Sequence, residues 1–384
     1  MDVVRIGVIG VGAMGASHAK YLQKGEVKRC VLTALCDIDS SRLDDFSDVK
    51  KFADSNEMIR SGEVDAVLIA TPHYDHTTIG IDALENGLHL LVEKPISVHK
   101  ADCERLIAAH EKAQKQVFSA MFMHRTYNLK KKIKQLIETG ELGEIQRVNW
   151  LATSWFRSET YYASGGWRAT WKGEGGGVLL NQSPHDLDLL QWYLGMPSKL
   201  RAFCHFGKYH NIETEDEVIA YLEYANGATG VFVATTGEAP GSDRIEICGD
   251  RGKLLFENGK LSFIRNEIGT REYSKTTKEW FRRPSVWNIE IPVDSGGGQH
   301  SQITQNFVDA ILDGTPLIAP AEEGINSVEL ANAMIYSSLT DQTVVFPMDA
   351  QAYEKKLFEL IEGSRFEKKV VEQKEAPNFS KSFK

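Results

Sequence analysis

Two short stretches of the 384-residue sequence put proton-handling side chains where the chain itself is restrained. In Glu93-Lys94-Pro95, Lys94 follows the apolar run His89–Val92 and precedes a proline, so it is expected at the end of a strand. Open α/β sheets bind ligands outside the carboxyl ends of their strands, and an ammonium there can hydrogen-bond a hydroxyl or carbonyl and assist proton transfer. In Ser183-Pro184-His185-Asp186, the serine reads as a helix N-cap, the proline as the first helical residue and the aspartate as a capping-box-like carboxylate. His185 then lies in the first turn, where the positive end of the helix dipole opposes protonation. That leaves the neutral imidazole a general base needs. Leu187, Leu190 and Leu194 form the packing stripe of this helix, with His185, Asp188 and Trp192 on a different face.

A third stretch binds rather than reacts. Gly10-Val11-Gly12-Ala13-Met14-Gly15 follows a strand expected over 3–9 and opens a helix expected over 16–22. In that context Gly10 permits a tight turn, Gly12 lets the backbone approach a pyrophosphate, and Gly15 allows close helix–strand packing. The free N–H groups of the helix then face the phosphates. The second strand ends at Asp37, whose carboxylate can accept hydrogen bonds from both adenosine ribose hydroxyls and would repel a 2′-phosphate. NAD is therefore the expected cofactor, and NADP stays open because Arg42 can pair with a phosphate.

The elements that must position these groups alternate in the first 125 residues or so. Unbroken apolar runs at 3–9, 31–36, 66–70, 89–92 and 117–121 are separated by helical patterns such as 75–85 and 99–115, the latter with Ser97 as N-cap. Strand–helix–strand repetition of this kind predicts an α/β protein with a doubly wound parallel sheet, a Rossmann arrangement, over residues 1–124. Beyond a helix at 128–138 the pattern changes to longer strands at 144–156, 199–206, 218–224 and 228–235. Asn226-Gly227 and Asn258-Gly259 are hairpin signals among them. Residues 125–364 are thus expected to form a second α/β domain with a mainly antiparallel open sheet. Helices are expected at 303–312, 323–338 and 350–362, followed by a loosely held polar tail over 365–384.

Composition removes several classes. A formal net charge of -9 argues against nucleic acid as a partner, and the run Lys130, Lys131, Lys132 and Lys134 reads as the solvated face of an amphipathic helix. Cys30, Cys36, Cys103, Cys204 and Cys248 are scattered without a CxxC pair, which suggests reduced thiols and neither a disulfide framework nor a metal site. No apolar run is long enough to span a bilayer and no secretory signal is evident, so a soluble cytoplasmic protein is expected.

Taken together, the glycine turn, Ala70-Thr71-Pro72 with His76, Glu93-Lys94-Pro95, Trp167-Arg168 and Gly175-Gly176-Gly177 followed by His185 and Asp188 resemble the glucose–fructose oxidoreductase / inositol dehydrogenase / rhizopine-catabolism family, to about residue 347. The resemblance implies that Thr71, Pro72, His76, Glu93, Lys94 and Arg168 join the glycine turn around the cofactor. It also implies that Lys94 and His185 work on the substrate beside the nicotinamide, with Trp167 close by. It further implies an oligomer, a homodimer or homotetramer, formed through the open sheet. One residue departs from the pattern: many members carry an aspartate where this chain has Asn181, which can orient an imidazole or a sugar hydroxyl but cannot stabilise an imidazolium by charge. Lys94 thereby gains weight as the proton acceptor. Trp150, Trp155, Tyr161, Tyr162, Trp167 and Trp171 can stack on a sugar, although at least half are expected in packing; Tyr162, Arg125 and His300 are further pocket-wall candidates. The expected activity is reversible oxidation of a secondary alcohol on a sugar, sugar derivative or cyclitol, with hydride passing to nicotinamide C4. The rivals are an NAD-dependent glycosidase of the same family and a non-catalytic dinucleotide-binding regulator.

Overall fold

Unbroken apolar runs become a six-stranded parallel sheet in the computed structural model, which describes residues 2–294, 296–368 and 370. Its strands are β1 (Val4–Ile9), β2 (Cys30–Cys36), β3 (Lys50–Phe52), β4 (Ala66–Ile69), β5 (His89–Val92) and β6 (Phe118–Ala120), in the order β3-β2-β1-β4-β5-β6. Ile6, Val8, Val67, Leu68, Leu90 and Leu91 are buried because helices cover both faces. Those helices include α1 (Ala13–Gln23), α2 (Ser55–Arg60), α3 (Asp75–Glu85) and α4 (Lys100–Lys112). The strand order reverses between β1 and β4, which opens a crevice at their carboxyl ends. The N-cap of α4 is His99 rather than Ser97: the His99 ring accepts from the Asp102 N–H at 3.3 Å, while Ser97 is taken up by Thr77.

The second sheet has nine strands in the order β14-β13-β12-β11-β7-β10-β9-β8-β15. They are β7 (Ile145–Ala152), β8 (Lys199–Phe206), β9 (Glu215–Glu223), β10 (Thr229–Thr235), β11 (Asp243–Gly249), β12 (Gly252–Glu257), β13 (Lys260–Asn266), β14 (Val286–Glu290) and β15 (Val344–Val345). Only β7 and β10 pair in parallel, and the two Asn-Gly turns join β9 to β10 and β12 to β13. Alternation is clear across β8 and β9. Leu200, Ala202, Val218 and Ala220 face the core, whereas Phe203, Ile219 and Tyr221 stand on the outer face, 55%, 43% and 43% exposed. The helices of this half are α5 (Asn128–Glu138), α6 (Glu159–Ala163), α7 (Val178–Asn181), α8 (Pro184–Leu194), α9 (Thr270–Thr276), α10 (His300–Asp313), α11 (Gly324–Thr340) and α12 (Ala350–Gly363); α11 lies against β8 and β9, α7 against β9 and β10, and α8 packs on α11.

Ile303, Phe307 and Val308 of α10 bury themselves in the first core, where Thr304 meets the Tyr21 hydroxyl at 2.6 Å. Two sequence expectations change here. The lysine run on α5 is only partly solvated. Lys130 is buried with its ammonium 4.3 Å from the Phe256 ring centroid and 3.7 Å from Asp243, its methylene stem packing as an apolar group would. Finally, the start of the polar tail is held. Ser364 hydrogen-bonds Glu213 and Lys368 donates to the Arg168 carbonyl; Lys369 and residues 371–384 lie outside the described residues. Among the described residues no helix is long and apolar enough to cross a membrane.

Candidate active site

One cavity of about 1250 Å³ runs along the crevice, from the glycine turn between β1 and α1 to the loops before α8. At the turn, Gly10 has φ +86°, and a Cβ on it would lie 2.7 Å from the Thr71 nitrogen; a Cβ on Gly15 would lie 1.8 Å from the Gly10 carbonyl oxygen. These contacts let β1, β4 and α1 approach closely, while Gly12 faces the open cavity and, among the described residues, such an atom would have only the Arg42 guanidinium within 4 Å. Asp37, at the end of β2, is buried and accepts the Val11 and Asp39 N–H groups at 2.7 and 2.9 Å. Arg42 lies 3.5 Å from Asp37 and 3.3 Å from Asp39, so two carboxylates already engage the cation that would have to meet a 2′-phosphate. The glycine cradle, the free start of α1 and the carboxylate beyond β2 fit a dinucleotide without that phosphate. Val11, Ala13, Met14, Thr71, Pro72 and His76 line the same wall. His76 ties the strand ends together, its ring nitrogens 2.8 and 3.0 Å from the Pro95 and Thr71 carbonyl oxygens.

The far end of the cavity is made of buried ionisable groups. Lys94, just beyond β5, donates from Nζ to the Asn181 carbonyl oxygen at 2.8 Å, and burial lowers its pKa against the opposing charges of Glu93 and Glu174. Glu93 accepts from the Lys94 backbone N–H and meets His18 at 2.7 Å. Burial opposes its ionisation, yet His18, His300 and Lys94 carry its pKa down to about 2. His185 occupies the first turn of α8, fully inside the protein, with Nδ1 lacking a hydrogen-bond partner among the described residues. Its ring stacks on His124 with centroids 4.2 Å apart. Burial, reinforced by His124, Lys94 and His300, holds its pKa well below the ordinary range, and burial takes His124 to about 3. Both imidazoles are therefore neutral near pH 7.

Sequence-predicted neighbours divide between cavity and core. Trp155, Trp167, Arg168, Asn181 and His300 line the cavity; Trp150 and Trp171 are buried in the second core. Tyr162 is corrected: it turns inward to Thr236 at 2.8 Å, and the adjacent Tyr161 lines the cavity instead, since consecutive helical residues diverge by about 100°. Tyr161 accepts from Arg168 and Gln182 at 2.9 and 3.0 Å. Arg125 is also corrected, being fully buried away from the cavity in a bidentate pair with Asp188 at 2.8 and 2.6 Å and a further bond to Glu323. Ser183 precedes α8 directly after α7, with ψ 5° rather than the extended value a capping side chain needs, and Asp186 accepts from the Trp155 indole at 2.7 Å. Sequence reasoning passed over Glu174, His124, His73 and Gln182, none of which belongs to a periodic or spaced motif. The acidic residue abutting the triple glycine was the one available signal. His99, Asp102 and Glu354 also converge, but Arg105 bonds both carboxylates, at 2.5 and 2.7 Å, and makes the group an ion-pair network.

This cleft, with its matching half-sites, is that of an NAD-binding oxidoreductase: residues 4–121 match the model described as an oxidoreductase family with an NAD-binding Rossmann fold. Residues 131–255 match the GFO/IDH/MocA C-terminal domain, and the chain belongs to that family. It is 30% identical over 358 residues to an inositol 2-dehydrogenase of Salmonella typhimurium, spanning 91% of this chain and 98% of the relative. A myo-inositol 2-dehydrogenase of Thermotoga maritima is 27% identical over 267 residues, or 66% of this chain and 75% of the relative. Among solved structures, the WlbA dehydrogenase of Chromobacterium violaceum in complex with NADH and UDP-GlcNAcA superposes with a TM-score of 0.78 at 26% identity, covering 91% and 97% of the two chains.

Proposed function

We propose that this enzyme reversibly oxidises a secondary alcohol on a sugar, sugar derivative or cyclitol, with Lys94 as the proton acceptor and His185 as a neutral orienting group. The observation that carries the reading is the continuity of one cavity from the glycine turn to Lys94 and His185. Bound NAD supplies the hydride acceptor. Neutral Lys94 takes the hydroxyl proton, and the resulting ammonium is held by the Asn181 carbonyl oxygen and by the charges of Glu93 and Glu174. His185 is the poorer acceptor because, among the described residues, no carboxylate is bonded to its Nδ1 to support an imidazolium. It orients the hydroxyl instead. Trp155, Tyr161 and Trp167 line the part of the cavity a carbohydrate would occupy, and Gln182 offers it an amide oxygen that has no hydrogen-bond partner among the described residues. The names of the inositol and sugar-nucleotide dehydrogenases among the relatives support a substrate of this kind. The exposed Phe203, Ile219 and Tyr221 on β8 and β9 support a homodimer or homotetramer that covers them.

The test is a panel of sugars and cyclitols followed at the reduced-nicotinamide absorbance, with NAD and NADP in parallel. Net NADH with a ketone product is the expected result. Glycoside hydrolysis without net NADH would transfer the reading to the glycosidase, and tight NAD binding with neither reaction would transfer it to the regulator.

A further inference from the structure

Glu174 has no part in the hydride step, yet it is tied to three of the groups around it. Its side chain is buried, with the residue 1% exposed, in the loop between α6 and α7. One carboxylate oxygen accepts the Ala169 N–H at 2.5 Å, and the other accepts from the Asn181 side-chain amide. The Asn181 carbonyl oxygen in turn receives the Lys94 ammonium at 2.8 Å. The loop closes on itself, since the Glu174 and Gly175 N–H groups both donate to the Thr170 carbonyl oxygen, at 2.9 and 3.1 Å. A single carboxylate thus bridges the Arg168-Ala169 turn to the residue on which Lys94 rests.

We propose that Glu174 is a positioning residue: it holds Asn181 against Lys94 and supplies the negative charge that keeps the Lys94 ammonium stable in the cavity, so that it sets the pH at which Lys94 exchanges its proton. The inference rests on the dehydrogenase reading for its purpose, though not for its test. The charged groups facing Lys94 are Glu93 and Glu174 on one side of the balance and Arg157 and Arg168 on the other. The imidazoles of His73, His124, His185 and His300 also feel Lys94, and burial pushes each toward the neutral form. Glu93 already serves His18 and the Lys94 backbone, which leaves Glu174 as the second carboxylate the ammonium needs. Glu174 itself faces Arg168, Lys368 and Glu215; burial raises its pKa, and Arg168 with the Ala169 and Asn181 hydrogen bonds works to keep it ionised. A charge placed so is felt strongly because water is excluded.

Competitive labelling of Lys94 with acetic anhydride across pH, read by peptide mass spectrometry on the full chain without substrate, measures its titration directly. Removing a neighbouring anion disfavours the ammonium. Glu174→Gln should therefore move the Lys94 midpoint toward acid by about one pH unit. Adding Asn181→Asp returns a carboxylate to the adjoining position, and the double variant should regain the wild-type midpoint. Folding is followed by circular dichroism and NADH fluorescence, and NADH affinity should be unchanged in both variants. A folded Glu174→Gln protein with an unmoved midpoint overturns the proposal, as does a shift that Asp at 181 does not reverse. If Glu174→Gln alone fails to fold, the double variant decides by the same criterion; if neither folds, Glu174 is a fold element and the proposal falls. A wild-type protein that oxidises none of the panel would sink the dehydrogenase reading and leave the labelling result standing.

Discussion

At the cofactor end of the cleft the walls are mostly backbone: the Gly10 and Gly15 contacts set the turn, the start of α1 supplies N–H groups, and one carboxylate, Asp37, closes it. At the substrate end the walls are side chains delivered by separate elements, with Lys94 from beyond β5, His185 from α8, Tyr161 from α6 and Trp167 and Arg168 from the loop between α6 and α7. The first end recognises a constant ligand through geometry that few residues can adopt. The second works through desolvated charges whose values depend on neighbours far away in sequence. Substitutions at the two ends should therefore fail differently: steric and affinity losses at the first, losses of turnover at the second.

The largest separation of the two is expected from Lys94→Ala. General acid–base catalysis contributes about 10²–10⁴-fold, so kcat should fall by roughly 10³ or more, while the NADH affinity measured by fluorescence titration stays within about twofold. Equal loss of both would erase the contrast drawn between the ends. Arg125→Leu tests the boundary of the substrate end. Leaving Asp188 buried without its partner should cost about 3–5 kcal/mol in urea unfolding, far more than it changes the KM of the surviving folded enzyme. A large KM effect at unchanged stability would return Arg125 to the cavity wall. Gly15→Ala, whose methyl would meet the Gly10 carbonyl oxygen, should weaken NADH about 100-fold, equivalent to about 2.7 kcal/mol, through displacement of α1. Near-native affinity would mean that the turn tolerates a side chain. Asp37→Ser should lower NAD affinity about tenfold and raise NADP affinity, because it removes the ribose acceptor and releases Arg42. An unaltered preference in paired titrations would count against Asp37 as the discriminator. The smallest effect belongs to Tyr162→Phe, about 1 kcal/mol of stability from the lost Thr236 bond with kcat/KM intact, whereas Tyr161→Phe should lower kcat/KM about tenfold. Reversed results would reverse the assignment of these neighbours.

The contrast between the ends also explains what could be read in advance. Gly10, Gly12, Gly15 and Asp37 are local necessities of a strand–turn–helix unit, so their spacing carries the message, and the apolar runs of β1, β2, β4 and β5 announce a sheet buried on both faces. Lys94 and His185 were legible because a proline follows one and precedes the other. Glu174 and His124 were not, since their importance arises only when β5, α7 and α8 meet. Tyr162 and Arg125 failed for the complementary reason: residue type suggested a sugar site, and tertiary packing used the same polar groups to satisfy Thr236 and Asp188. Of the late strands, β12 and β13 were announced only by the Asn258-Gly259 hairpin signal between them, and β11 had no such turn to mark it. The lysines of α5 misled through their duality, a charged tip on an apolar stem.

The burial of α10 in the first core has a consequence for synthesis. When a ribosome has made the six strands of the parallel sheet, the side chains of Ile303, Phe307 and Val308 that complete its hydrophobic interior do not yet exist. They emerge about 180 residues later, roughly ten to forty seconds at ordinary elongation rates. Through that interval the nascent Rossmann unit lacks side chains that belong to its core in the finished protein. Pulse proteolysis of stalled chains should find it susceptible until α10 has cleared the exit tunnel; early full protection would contradict this order. The nucleotide-binding half is the first to be translated and among the last to be finished.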